Sequence, residues 1–114
     1  MLYNFLMLKG TIIENSLEDK SLLKEVKIIR TWKDEAWILH DVLVDEEKVS
    51  EIGKYLSDGP WYIHLWTPGE DDFIILFKDK LFRVKHSDPS SFTAAIAYGE
   101  SIGIPKEQLD FPID

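Results

Sequence analysis

The apolar positions of this chain fall into short runs separated by turn residues, and the densest set lies between residues 59 and 86. Gly59-Pro60-Trp61-Tyr62-Ile63-His64-Leu65-Trp66 is followed by the turn residues Thr67-Pro68-Gly69-Glu70. Two further runs, 73–77 and 81–86, are separated by Lys78-Asp79-Lys80. Stretches rich in β-branched and aromatic residues, with turn chemistry between them, predict a three-stranded antiparallel meander. A two-residue turn in its second hairpin puts Phe73, Ile75 and Phe77 on the face of Phe82 and Val84. Ile74, Leu76, Leu81, Arg83 and Lys85 then take the other face. The first set is apolar throughout and is assigned to the helix side. The loop before Phe73 is longer, so the pattern leaves open which face Tyr62, His64 and Trp66 occupy.

The rest of the chain packs around that meander. Residues 2–13 are apolar with Gly10 inside, which reads as a strand carrying a bulge or bend at the glycine. Ser16 followed by Asp19 is a loose capping pattern for a short helix over 17–24. Residues 26–32 read as strand, but Leu22, Leu23, Val26 and Ile29 also fit a helical stripe, so 22–32 stays open between the two. Over 36–44 the alternation places Ile38, His40, Val42 and Val44 on one face and Trp37, Leu39, Asp41 and Leu43 on the other. Asp45 is placed to cap a helix from Glu46 with Val49, Ile52, Tyr55 and Leu56 as its apolar stripe, ended by Asp58-Gly59-Pro60. Asp88-Pro89 predicts a second helix, reaching Ile102 and stopped by Gly103. Leu109, Phe111 and Ile113 in the tail are apolar enough to dock back on the body. The elements add up to an α+β fold, a two-layer sandwich in which an antiparallel sheet of about six strands carries both main helices on one face. Such an arrangement leaves the reverse of the sheet open, unless a partner subunit covers it.

Composition narrows the function classes. A chain of 114 residues is expected to be one domain, 1–114. It is long enough to bury roughly 65% of its extended surface, which supports a core without staples. The absence of cysteine excludes disulfides and thiolate metal sites and fits a reducing compartment. The apolar opening, 1–8, is broken by Asn4, lacks a positive flank, and is too short for a signal peptide or a membrane span. The expected location is the cytoplasm, with no membrane partner. A formal net charge of −8 repels phosphates, so nucleic acid is not an expected partner. Lys78, Lys80, Arg83 and Lys85 cluster on one hairpin, as solvated strand edges commonly do. The aromatic share of 12% is high for this length and points either to a thick core or to rings kept at a surface for binding.

Catalytic motifs are absent. There is no glycine-rich phosphate loop, no His-Glu-x-x-His, no Gly-x-Ser-x-Gly and no EF-hand loop, so neither catalytic residues nor a cofactor is assigned. His86-Ser87-Asp88 holds the residue types of a catalytic triad side by side, whereas a triad is assembled from separate elements, and Asp88 reads better as a helix cap. His40 and Asp41 are neighbours on a strand and point to opposite faces, which defeats them as a dyad. His40 and His64, with Asp41 or Glu70, have the chemistry of a metal site. No spacing fixes a third ligand, and no metal is assigned. Tyr62, His64 and Trp66 alternate along one strand, forming an aromatic floor with one titratable group, able to stack a planar or sugar ligand. Together with His40 they are the candidate ligand-binding residues. The same residue types fill cores and homodimer seams, and packing is the favoured reading.

Three stretches resemble a family of short prokaryotic proteins with no assigned activity: the closing segment Ala97-Tyr98-Gly99-Glu100-Ser101-Ile102-Gly103-Ile104-Pro105-Lys106-Glu107-Gln108-Leu109-Asp110-Phe111, the Gly-x-Trp-Tyr-x-His-x-Trp stretch around His64, and the Phe77-Lys78-Asp79-Lys80 turn. The resemblance covers the second half of the chain, implies a self-standing cytoplasmic domain and transfers no catalytic residues. The sequence therefore leads to a non-enzymatic domain acting by self-association through an open sheet face or edge. The alternative is a small-ligand or enzymatic site on the aromatic floor.

Overall fold

The computed structural model of the chain describes residues 7–111. Six strands form one antiparallel sheet: β1 (Met7–Ile13), β2 (Lys27–Asp34), β3 (Trp37–Asp45), β4 (Ile63–Trp66), β5 (Asp72–Leu76) and β6 (Leu81–Lys85), in the spatial order β2-β3-β1-β4-β5-β6. Two helices accompany them, α1 (Val49–Ile52), extended at both ends by 3-10 turns Glu46–Lys48 and Gly53–Tyr55, and α2 (Thr93–Ser101), preceded by the 3-10 turn Pro89–Phe92. The α+β class and the antiparallel six-stranded sheet agree with the sequence reading.

The caps are where the side chains predicted them. Asp45 accepts a hydrogen bond from the Glu47 amide at 3.2 Å, and Asp88 accepts one from the Ser90 amide at 3.1 Å. Each satisfies an amide that the first turn of a helix leaves without a backbone partner. Helix α2 stops at Gly103, whose φ of +97° is open to glycine at little cost. The amides of Gly103 and Ile104 close back on the carbonyls of Glu100 and Gly99, a Schellman ending that buries Ile104. The first helix ends sooner than Gly59 suggested. Leu56 is already extended, at φ −73° and ψ 145°, and bridges to Leu17. The open stretch 22–32 divides, with a 3-10 turn at Lys20–Lys24 and strand from Lys27.

The two helices do not share a face of the sheet. Val49 and Ile52 of α1 join Leu8, Ile12, Val42, Val44, Ile63, Leu65, Ile74 and Leu76 in one core cluster, together with Leu17 and Leu22. Ala95 of α2 joins Trp66, Phe73, Ile75, Phe77 and Val84, with Leu109 and Phe111 of the tail, in a second cluster. Strand parity puts these two sets on opposite sides. The expectation of both helices on one face fails because β4 and β5 carry apolar or aromatic side chains on both their faces. A strand of that kind needs cover above and below. The meander's parity itself is as predicted: Phe73 pairs with Val84 and Ile75 with Phe82, opposite in face to Ile74 with Arg83 and Leu76 with Leu81.

Gly10 is not a bulge. Strand β1 keeps an unbroken register with β3 from Met7↔Asp45 to Ile13↔Leu39, and the register shift lies in β2, between Ile28 and Arg30. Gly10 instead sits under Leu65 of β4, where a Cβ would come within 2.5 Å of Leu65 Cδ2 and 2.8 Å of the His64 carbonyl oxygen. Among the described residues, strands β1 and β4 meet in two residue pairs, Lys9↔Trp66 and Gly10↔Leu65, and this seam joins the two halves of the sheet.

Candidate functional site

Tyr62, His64 and Trp66 lie on the α2 side of the sheet. His64 is opposite Ile75 and Trp66 opposite Phe73, so the three side chains alternate along β4 and the residue before it. The His64 ring stacks on Trp66 at 5.2 Å between centroids and on Phe73 at 5.3 Å, and it lies 6.1 Å from Tyr62. On its other side Phe73 stacks with His86 at 6.0 Å. The aromatic floor predicted from the alternation is therefore present, extended by Phe73 across the strand pair.

The chain's own tail covers that floor. Phe111 meets Tyr62 edge-on at 5.2 Å, His64 at 6.1 Å and Phe92 at 5.7 Å, and it is 2% exposed. The Tyr62 hydroxyl donates to the Gln108 carbonyl oxygen at 2.6 Å, fastening the tail at a second point. Burial, reinforced by the negative charge of Asp110, pushes the Tyr62 phenol up to about 12. Docking of the tail, expected for Leu109 and Phe111, is what the structure has; Ile113 lies outside the described residues. The indole N–H of Trp66 is buried without a hydrogen-bond partner among the described residues. Open depressions of about 250 Å³ around Arg83 and about 290 Å³ around Lys80 lie elsewhere, and none of Tyr62, His64, Trp66 or His40 lines either.

His40 faces the other way. It shares the α1 side with Val42 and Val44, is 6% exposed, and has both ring nitrogens engaged. Nε2 is 2.9 Å from the Glu14 carboxylate and Nδ1 is 2.7 Å from the Thr31 hydroxyl. The carboxylate accepts from Nε2–H, which in the neutral ring leaves Nδ1 to accept from the hydroxyl. Centred on the buried His40, this trio ties the 3-10 turn Glu14–Ser16 to the β2–β3 hairpin, helped by Asn15. The Asn15 side chain donates to the Ala36 carbonyl at 3.1 Å and accepts from the Ile38 amide at 3.0 Å. The sheet thus separates His40 from His64, and the four candidate residues do not form one site. Among the described residues no group of three His, Asp or Glu side chains is placed to hold a metal ion. His86, Ser87 and Asp88 likewise go separate ways: to Phe73, to Asp71 at 2.6 Å, and to the cap of the Pro89–Phe92 turn. Hydrogen bonds from the Ser87 hydroxyl and amide hold the Asp71 carboxyl below the usual carboxylate range.

Among the described residues, the opposite end of the sheet stays open on the α2 side. The α2 layer reaches β4, β5 and β6, and no residue of β1, β2 or β3 belongs to its cluster. On that uncovered half, Asp41 accepts from the Thr11 hydroxyl at 2.8 Å and pairs with Arg30 at 3.2 Å, while the Arg30 guanidinium lies 4.1 Å over the Trp32 ring. Among the described residues strand β2 is the outer strand of the sheet, with β3 its one neighbour. Seven of its eight residues are exposed, Ile28 at 40% and Ile29 at 52%, and Trp37 at the start of β3 is exposed at 41%. The polar line Thr11–Asp41–Arg30 was invisible in the sequence, because its members come from three strands.

Comparison with protein-family models, with curated proteins and with solved structures finds no match. Among the described residues no helix is long and apolar enough to cross a membrane.

Proposed function

We propose that this protein acts by protein–protein association, forming homo-oligomers through the β2 edge and the uncovered half of the sheet beside it. The observation that carries this reading is the exposure of seven of the eight residues of the outer strand, the apolar Ile28 and Ile29 among them. An edge strand offers a row of unmade backbone hydrogen bonds, and proteins normally shorten, cover or charge such an edge. Here the edge is eight residues long and, beside the charges of Lys27, Arg30, Lys33 and Asp34, leaves the large apolar side chains of Ile28 and Ile29 exposed. On the same reading the protein works in the cytoplasm and has no nucleic-acid partner, in keeping with its net charge of −8. No catalytic role is proposed, and a ligand on the Tyr62–His64–Trp66 floor would first have to displace Phe111.

Sedimentation equilibrium or light scattering over a wide concentration range tests the proposal. A mass rising toward a discrete oligomer is expected. A monomer at every concentration up to the solubility limit would overturn it.

A further inference from the structure

Resting on that self-association, we propose its form: two copies pair antiparallel through β2, in the register that places Trp32 opposite Trp32 of the second copy. Three features of the strand lead to this register. The first is the direction of its free backbone groups. The Ile38 amide is taken by Asn15 on the far side of β3, so Ile38 and its partner Lys33 form a pair that does not exchange backbone hydrogen bonds. Antiparallel ladders alternate such pairs with bonded ones, which turns the N–H and C=O groups of Lys33 and Thr31 outward. A second strand must therefore bond at Thr31 and Lys33.

The second feature is symmetry. A continuous antiparallel sheet made from two identical edges has its two-fold axis perpendicular to the sheet, so paired residues come from the same face. The regular segment beyond the register shift offers alignments centred on single residues only. Centring on Arg30 or on Lys33 sets like charges directly opposite, which destabilises a strand pair. Centring on Thr31 leaves Arg30 without an opposite charge across the pair. Centring on Trp32 bonds Thr31 to Lys33 of the other copy, twice by symmetry, and aligns Arg30 with Asp34, again twice.

The third feature is the state of those side chains. The Arg30 side chain is 64% exposed and already oriented by Asp41 and by the Trp32 ring, yet a guanidinium has five donors and serves a second carboxylate without leaving the first. The basic residues Lys27, Arg30 and Lys33 then act as a selection device. They oppose most alignments of this edge and admit the one that answers Arg30 with Asp34. The product is a sheet continuous across two copies, with both uncovered half-faces on the same side. That gives an isologous and closed interface.

Two experiments on the full chain test this. Because the chain has no cysteine, Trp32→Cys introduces a single thiol at the axis, where facing residues of a non-bonded pair stand about 4.5 Å apart at Cα, within disulfide range. Mild oxidation is expected to convert this variant to a covalent dimer, whereas Thr31→Cys, offset from its own copy, stays monomeric on a non-reducing gel. As the cysteine substitution removes an indole, the unsubstituted protein supplies the second measurement. Amide exchange at Thr31 and Lys33 is expected to slow roughly tenfold or more as concentration rises through the association range. Self-association without protection at Thr31 and Lys33, or cross-linking at residue 31 and not 32, overturns this pairing and leaves the oligomer itself standing. A monomer throughout removes both.

Discussion

Replacing Gly10 by alanine is the sharpest probe of how the sheet is held together. On backbone grounds the change is favourable, since glycine inside a regular element is worse than alanine by about 0.5–1 kcal/mol. Packing opposes it. The new methyl would stand 2.5 Å from Leu65 Cδ2 and 2.8 Å from the His64 carbonyl oxygen, whereas ordinary carbon contacts begin near 3.4 Å. Leu65 is fully buried, so its side chain has nowhere to turn, and the carbonyl belongs to β4 and retreats only if the strand does. Forcing an extra methyl into a filled site costs about 1–3 kcal/mol. Among the described residues the contact falls on one of the two pairs joining β1 to β4, so the shift bears directly on that seam. The packing term wins, and we expect Gly10→Ala to destabilise by about 1–2 kcal/mol, a Tm drop of roughly 4–10 °C for a domain of this size.

Urea denaturation with a shared m-value measures this directly. The cause is tested by a double-mutant cycle with Leu65→Ala, which alone costs about 2–5 kcal/mol as a buried truncation. With Leu65 shortened, the methyl keeps only its conflict with the His64 carbonyl. The double variant is then less damaged than the sum of the singles, by about 1 kcal/mol. A Gly10→Ala protein as stable as the parent, or strict additivity in the cycle, would refute the reasoning.

Three further outcomes follow from the same structure. Replacing His40 by alanine strips the partners from Glu14 and Thr31 and opens a void beneath the β2–β3 hairpin; a loss of about 2–4 kcal/mol is expected by urea titration, and less for Glu14→Gln, which keeps the shape. For Tyr62 the folded pKa is raised to about 12 from an ordinary 10.0, so its contribution is complete below pH 10 and is lost as pH climbs from there through 12. Melts between pH 9 and 12 should fall more steeply for the parent than for Tyr62→Phe, and equal slopes would count against the buried phenol. At Gly103, where φ is +97°, alanine should cost about 1–2 kcal/mol by thermal melting, since an L side chain is strained in that region.

What the chain decided by itself is local. Alternation gave the faces of β3 and of the β5–β6 hairpin, because side chains on a strand point to opposite sides whatever surrounds them. Asp45, Asp88 and Gly103 marked helix ends, because a cap answers backbone groups only a few residues away. The alternation of Tyr62, His64 and Trp66 announced the aromatic floor for the same reason. Which side of the sheet each layer covers was beyond that reach. It depends on β4 and β5 carrying apolar or aromatic side chains on both faces and on how far each helix extends, and neither is a property of one segment. That His40 is tied to Glu14, that Phe111 fills the floor, and that Gly10 makes room for Leu65 are facts of the assembled fold. Each joins residues far apart in the chain, where spacing carries no signal and only packing selects the partner.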